Sequence, residues 1–296
     1  MANILVIGIA TIDIINSVNA YPQEDSEIRA SAQDIRRGGN AANSAVILSQ
    51  LGHLCSWAGT LSDDKDGEFI TRELQRYGID TRNCCHIHAG ITPTSYITHN
   101  RSNGSRTIIH HRDLPEFSFD NFRKIDLSHH DWLHLEGRHC QETAQMIHLA
   151  RQQQPQLPVS IEIEKQRPDI EALFELGDLL LFSRSYAQDC GYLNGEDFLH
   201  AMRRQAGKAD LVCAWGEKGA WALTRDNDTN AFFSPAFPPP QLINTLAAGD
   251  TFNAAIIDAR CKGQSLTQAL TAACHLAGQK CGFEGLDLTE QHKKSL

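Results

Sequence analysis

No stretch of this 296-residue chain reads G-x-x-x-x-G-K-[ST], so the phosphate loop of P-loop kinases is missing. No G-x-G-x-x-G follows the first apolar run, which leaves a nicotinamide cofactor unsupported. C-x-x-C and H-E-x-x-H are absent, and with them the common zinc spacings. A G-x-S-x-G elbow, the mark of many hydrolases, is also missing. Positive charge is scarce: 27 Lys and Arg against 36 Asp and Glu leave a net charge of -9. Nucleic acid calls for clustered Lys and Arg, and no basic run interleaved with aromatics occurs. No apolar run approaches the roughly 20 residues that cross a bilayer. Neither nucleic acid nor a membrane is therefore expected as a partner. The opening MANILVIGIA has no positive start and reads as a buried strand rather than a signal peptide. Nine cysteines, an odd number, then read as free thiols in a cytoplasmic protein. In that compartment the acceptor patterns Asn103-Gly-Ser and Asn227-Asp-Thr carry no weight. The pairs His110-His111, His129-His130 and Cys84-Cys85 put neighbouring side chains on opposite faces of an extended chain, so no protein metal site is expected.

What is present is a run of strand and helix signals. Hydrophobic residues make up 41% of the chain, enough for a sizeable core. Ile4 to Ile9 is a continuous apolar run that suits a strand buried on both faces. From Asp131 onward apolar strands alternate with helical patterns: Trp132–Leu135, a helix at 141–153, Val159–Ile163, Leu179–Phe182, a helix at 196–205, and Leu211–Trp215. Helices are also predicted from Asn43 to Leu51, at 67–77, 249–261 and 266–282, and one strand at Cys55–Leu61. This alternation predicts an α/β fold with a mostly parallel central sheet and helices on both faces. Two β-rich runs, Thr92–Asn100 and Arg106–Arg112, flank Arg101-Ser-Asn-Gly-Ser105, where Asn-Gly is a hairpin signal. With the non-helical stretch at about 14–36, the segment at 92–112 is expected to form a small sheet that covers a strand-end cleft as a lid. No internal repeat or flexible linker divides residues 1–296, so one covalent unit is expected.

The chemistry centres on Asn244-Thr-Leu-Ala-Ala-Gly-Asp-Thr-Phe-Asn-Ala254. Small residues here open a predicted helix, whose first N–H groups have no intrahelical acceptor and whose dipole favours an anion such as phosphate. Asp250 sits in this first turn. A carboxylate beside a phosphate site suits a base that takes a hydroxyl proton as the oxygen attacks phosphorus; the plainer alternative is a helix cap. Asp13 follows the first strand, where open α/β sheets gather ligands, and can accept two hydroxyl hydrogen bonds. In Arg36-Arg-Gly-Gly-Asn-Ala-Ala-Asn43 the glycines allow close approach to the backbone, and the amides of Asn40 and Asn43, three apart, suit sugar hydroxyls. Gly216-Glu217-Lys218-Gly219 is a tight turn against which a nucleotide can lie, and Arg106 beside the hairpin can reach a phosphate.

Taken together, the segments YPQEDSEIR, RRGGNAANS, NRSNGSRTI, HLEGR, SIEIEK, LVCAWGEKGA, AFPPP, NTLAAGDTFNA and AGQKCG resemble the ribokinase-like (PfkB) sugar kinases. They span residues 21 to 282. The lid segments resemble the branch that phosphorylates fructose on its 1-hydroxyl. The resemblance implies an α/β sandwich with a β-clasp lid, a homodimer formed through the clasp, and transfer from ATP with Mg2+. By position it makes Asp250 the catalytic base and Asp13, Gly39, Asn40 and Asn43 sugar ligands. Asp25 becomes the clasp carboxylate that reaches a partner subunit's sugar. Arg106, Gly216, Glu217, Lys218, Gly219, Ala247, Ala248 and Gly249 become nucleotide and phosphate contacts, and Arg138 lines the cleft near the transferred phosphate. Two positions depart from the family. Its usual Gly-Ala-Gly-Asp is Ala247-Ala-Gly-Asp250 here, which strains the anion hole if the backbone at 247 needs a positive φ. Asn244 stands where the family carries an Asp tied to a bound monovalent cation, which puts K+ dependence in question. A family kinase for another sugar or a nucleoside, or a weakly active sugar- and nucleotide-binding regulatory homologue, are the alternatives.

Overall fold

The computed structural model describes residues 1–226 and 229–288; residues 227 and 228 of the second acceptor pattern and residues 289–296 lie outside it. Labels run in chain order. The strands are β1 Asn3–Ile7, β2 Thr11–Val18, β3 Ala32–Gly38, β4 Leu54–Ala58, β5 Thr60–Ser62, β6 Cys85–Ile87 and β7 Thr94–Asn100. They continue as β8 Arg106–His111, β9 Trp132–Glu136, β10 Val159–Ile163, β11 Leu179–Phe182, β12 Asp210–Ala214, β13 Ala220–Leu223 and β14 Phe232–Ser234. The helices are α1 Asn40–Gln50, α2 Lys65–Arg76, α3 Phe119–Phe122, α4 Cys140–Gln153, α5 Arg184–Asp189, α6 Gly195–Arg203, α7 Ala248–Cys261 and α8 Leu266–Lys280.

Eight strands form the main sheet in the order β14-β13-β12-β11-β10-β9-β1-β4. The six from β12 to β4 are parallel, and β13 and β14 close one edge antiparallel. The period of two along each strand splits the core in two. Ile4 and Val6 pack on one face with α1, α2, α7 and α8, while Leu5 and Ile7 pack on the other with α3, α4, α5 and α6. Burial on both faces explains why these strands read as unbroken apolar runs. Each fully buried Leu, Ile or Phe here contributes about 1.5–3 kcal/mol.

The four-stranded sheet β3-β2-β7-β8 stands apart from the main one. Within it, β2 pairs antiparallel with β3 and parallel with β7, and β7 pairs antiparallel with β8 around the Asn-Gly turn. Its register brings Ile35, Ile14, Tyr96 and Ile109 into one row across all four strands. Ile35, Tyr96 and Ile109 are exposed.

Several boundaries differ from the sequence expectation. The run Cys55–Leu61 is two strands, broken at Gly59, and they join different sheets. A Cβ at Gly59 would lie 2.4 Å from the Trp57 ring, so the chain turns there against its own indole. After β11 a helix absent from the sequence reading begins: Ser183 caps α5 by accepting from the Tyr186 N–H. Short β6, β14 and α3 carried too few residues for a periodic signal.

Candidate active site

Helix α7 begins at Ala248, and its N-cap, Ala247, offers no side-chain cap. The N–H groups of Gly249 and Asp250 fall in the first turn and have no intrahelical acceptor. Ala247 adopts φ 58° and ψ 15°, the left-handed region that costs an alanine about 1–2 kcal/mol. The strain foreseen for this substitution is therefore present.

Asp250 is buried and accepts a hydrogen bond from Asn43 Nδ2 at 2.6 Å. Arg37 Nη1 donates to Asn43 Oδ1 at 2.8 Å, so this amide is fixed from both sides. Burial pushes the Asp250 carboxyl up to about 7; the Asn43 bond and the Arg37 charge oppose the shift, and the charges of Glu164 and Asp13 add to it. A carboxylate raised into this range is matched to accepting a proton near neutral pH. The Asn43 bond falls on Oδ2.

Asp13 lies on β2 and accepts from the Thr11 hydroxyl at 2.8 Å. Burial raises its pKa, against hydrogen bonds from Thr11 and Ser95. A Cβ at Gly38 would come within 2.2–2.4 Å of the Asp13 carboxylate, so only glycine lets β3 pass this side chain. Gly39 holds φ 96° and its missing Cβ would sit 2.3 Å from the Ile9 carbonyl. That glycine turns the chain from β3 straight into α1, which carries Asn40 and Asn43. Asn40 Nδ2 reaches Glu162 Oε1 at 3.2 Å, and Asn253 Nδ2, on α7, reaches the same oxygen at 3.1 Å. Arg138 donates to Glu116 at 2.8 Å, and Arg112 pairs with the same carboxylate.

Arg106, Gly216, Glu217, Gly219, Ala248 and Gly249 line one cavity of about 560 Å³. Arg106 Nη1 donates to Thr245 Oγ1 at 3.0 Å, which joins the small sheet to the loop before α7. Arg184 donates to both Glu217 oxygens at 2.9 Å across the cavity mouth. On the inner wall α8 meets the Phe237-Pro-Pro-Pro connector, where a Cβ at Gly278 would lie 1.9 Å from the Phe237 carbonyl. Lys218 and Ala247 adjoin this cavity without lining it. Asp25 is left apart: it lies exposed in the loop between β2 and β3, with φ 57°, and shares no hydrogen bond with the other candidates.

Residues 1–292 match the model of the pfkB family of carbohydrate kinases. The chain belongs to that family. It is 41% identical over 292 residues to mouse ketohexokinase, covering 96% of this chain and 97% of the mouse protein. The fold is shared with ribokinase from Giardia lamblia, at TM-score 0.84 and 15% identity with both chains fully covered. It is shared likewise with Cryptococcus neoformans ribokinase in complex with ADP, at TM-score 0.81 and 18% identity, again over both whole chains. The pfkB kinase described here is thus a ribokinase-like α/β protein and an ATP-dependent sugar kinase.

Two carboxylates of this kinase were not singled out from the sequence. Glu162 is buried in β10, and its Oε2 has no hydrogen-bond partner among the described residues. Burial raises its pKa well above the ordinary value, and the Asp250 charge adds to the shift. Glu136, at the end of β9, accepts from the Ile9 N–H at 2.6 Å and the Ala41 N–H at 3.3 Å, and burial raises its carboxyl to about 7. The available signal was a glutamate inside an otherwise buried strand, Val-Ser-Ile-Glu-Ile, where an unpaired charge is costly.

Proposed function

We propose that this kinase transfers the γ-phosphoryl group of ATP to the 1-hydroxyl of fructose. The observation that carries this reading is the buried Asp250 at the mouth of α7, held by Asn43. The 41% identity to mouse ketohexokinase over nearly the whole chain supports the choice of sugar. Asp13, Asn40 and Asn43 bind and orient the hydroxyls, while Gly39 brings the backbone close. Asp250 takes the proton of the attacking hydroxyl through Oδ1. The N–H groups of Gly249 and Asp250 and the α7 dipole stabilise charge on the transferred phosphoryl oxygens. The nucleotide lies in the cavity at Gly216–Gly219, with Arg106 on its phosphates and Arg138 farther along the cleft.

Among the described residues no group of three or more His, Cys, Asp or Glu side chains is placed to hold a metal ion. Such a site fits Mg2+ that arrives with ATP and keeps phosphate and water ligands, with Glu162, whose buried Oε2 is unpartnered, as a carboxyl that a nearby cation would ionise. Mg2+ there would neutralise phosphate charge.

The sheet β3-β2-β7-β8 acts as a lid over this cleft. We propose further that its row of Ile35, Ile14, Tyr96 and Ile109 is covered by the same sheet of a second copy, which carries Asp25 toward the partner's sugar. The exposed Ile35, Tyr96 and Ile109 of this row suit an interaction surface. Ile109→Lys should give a monomer by light scattering. The nine free thiols suit a cytoplasmic setting.

The test is ATP consumption with fructose, ribose, deoxyribose, glucose and adenosine, with the product read by NMR. Fructose phosphorylated at carbon 1 is the expected result. Turnover confined to another acceptor would overturn the choice of sugar. Tight sugar and ATP binding without ADP release would identify a regulatory homologue instead.

A further inference from the structure

The loop that leads into α7 is held from below by the end of α8. Lys280, the last residue of α8, is 1% exposed, and its Nζ donates to the Asn244 backbone carbonyl at 3.1 Å. Asn244 is 5% exposed, and its Oδ1 accepts from the Leu246 N–H at 2.8 Å. Its Nδ2 donates to Glu284 Oε2 at 2.6 Å. The Ile243 and Asn244 N–H groups both donate to the Cys281 carbonyl, at 2.8 and 3.1 Å. Glu284 also accepts from Arg36 of β3 at 2.9 Å, so the same cluster reaches the lid.

A lysine this deeply buried is costly unless its charge is matched. The match is local: the carbonyl of Asn244, the carboxylates of Glu284 and Asp250 acting through space against the like charge of Arg36, and the Phe283 ring 5.6 Å away. Burial lowers the Lys280 pKa to about 8, which leaves the group mainly protonated at neutral pH.

This arrangement does not fit a bound K+. The side-chain oxygen of Asn244 is engaged by a backbone N–H and its carbonyl by an ammonium. Asn244 itself brings no carboxylate, the neighbouring Glu284 carboxylate is already shared by Arg36 and the Asn244 amide, and an ammonium in place repels a second cation.

We propose that Lys280 is the built-in cation of this loop: it fixes the Asn244 carbonyl and hence the approach to the α7 N-terminus, so that phosphoryl transfer runs without a bound monovalent ion. Lys280 has this role on the reading, proposed above, that the α7 N-terminus receives the transferred phosphate. It touches neither substrate and is a positioning residue.

The experiment uses the full-length enzyme with its sugar and Mg-ATP in KCl, NaCl or tetramethylammonium chloride at matched ionic strength. Turnover is expected to be equal in the three salts. A fall of about tenfold on replacing K+ by Na+ would overturn the proposal. Lys280→Met, which keeps the length and removes the charge, is expected to lower kcat about 10- to 100-fold with little change in the sugar KM. Wild-type kcat in that variant would also overturn it. Lys280→Ala is expected to regain activity with ammonium chloride and not with tetramethylammonium chloride, a response that a purely structural role would not give. The melting temperature of wild type in the same salts is a readout free of any sugar. A rise specific to K+ overturns the built-in cation whatever the variants do, and equal melting in all three salts supports it. Failure to turn over any acceptor sinks the kinase reading instead and leaves the melting result to decide the cation.

Discussion

Replacing Asp250 by asparagine should sharply lower turnover and stabilise the fold. The carboxyl is buried, and burial raises its pKa from the ordinary 3.8 to about 7. Below about pH 4 the group is protonated in both the folded and the unfolded chain and contributes nothing to the pH dependence. Between about pH 4 and pH 7 the unfolded chain releases the proton and the folded chain keeps it, so folding is progressively penalised. Above pH 7 the penalty is constant, on the order of 4 kcal/mol for a shift of roughly three units. The amide of the Asp250→Asn variant cannot ionise and escapes this penalty, while its oxygen can still accept from Asn43. Denaturant unfolding of both proteins at pH 5 and pH 8 measures the difference. The variant should be the more stable, by a margin that widens between those values. Activity moves the other way with pH: the base must be ionised, so wild-type kcat/KM should rise as pH passes through about 7. The variant should lose about 10²–10⁴ in turnover. Turnover within tenfold of wild type, or a variant less stable than wild type at pH 8, would refute the assignment of Asp250 as a buried, desolvated base.

Ala247→Gly should raise stability by about 0.5–1 kcal/mol, because relief of the left-handed strain exceeds the entropy that glycine adds to the unfolded chain; a lower melting temperature would contradict this. Gly38→Ala should cost about 10²-fold in kcat/KM for the sugar by displacing Asp13, with ATP affinity unchanged by calorimetry. Arg106→Ala removes the exposed contact to Thr245 and should raise the ATP KM about tenfold, with stability within about 0.5 kcal/mol of wild type; an unchanged KM would remove Arg106 from the nucleotide site.

Much of the site was legible because its signals are local. A helix that opens on small residues exposes its N–H groups wherever it lies, and an Asp in its first turn is visible in the string of residues. Gly38 and Gly39 announce a close approach, and the Asn-Gly pair announces the hairpin. Other parts were not legible because they join distant residues. Glu162, on β10, meets Asn40 of α1 and Asn253 of α7 only once the fold brings these three elements together. Asn43 touches Asp250 across 207 positions of sequence.

Residue order was enough to set the alternation of strands and helices, the two stretches of the small sheet, and the acid at the helix mouth, since each follows from spacing along the chain. Packing was needed to establish that Asp250 is desolvated, that Ala247 is left-handed, and that Lys280 lies beneath the Asn244 carbonyl. Burial, backbone strain and charge pairing depend on which distant atoms exclude water or come within a few ångströms, and spacing along the chain does not carry that information.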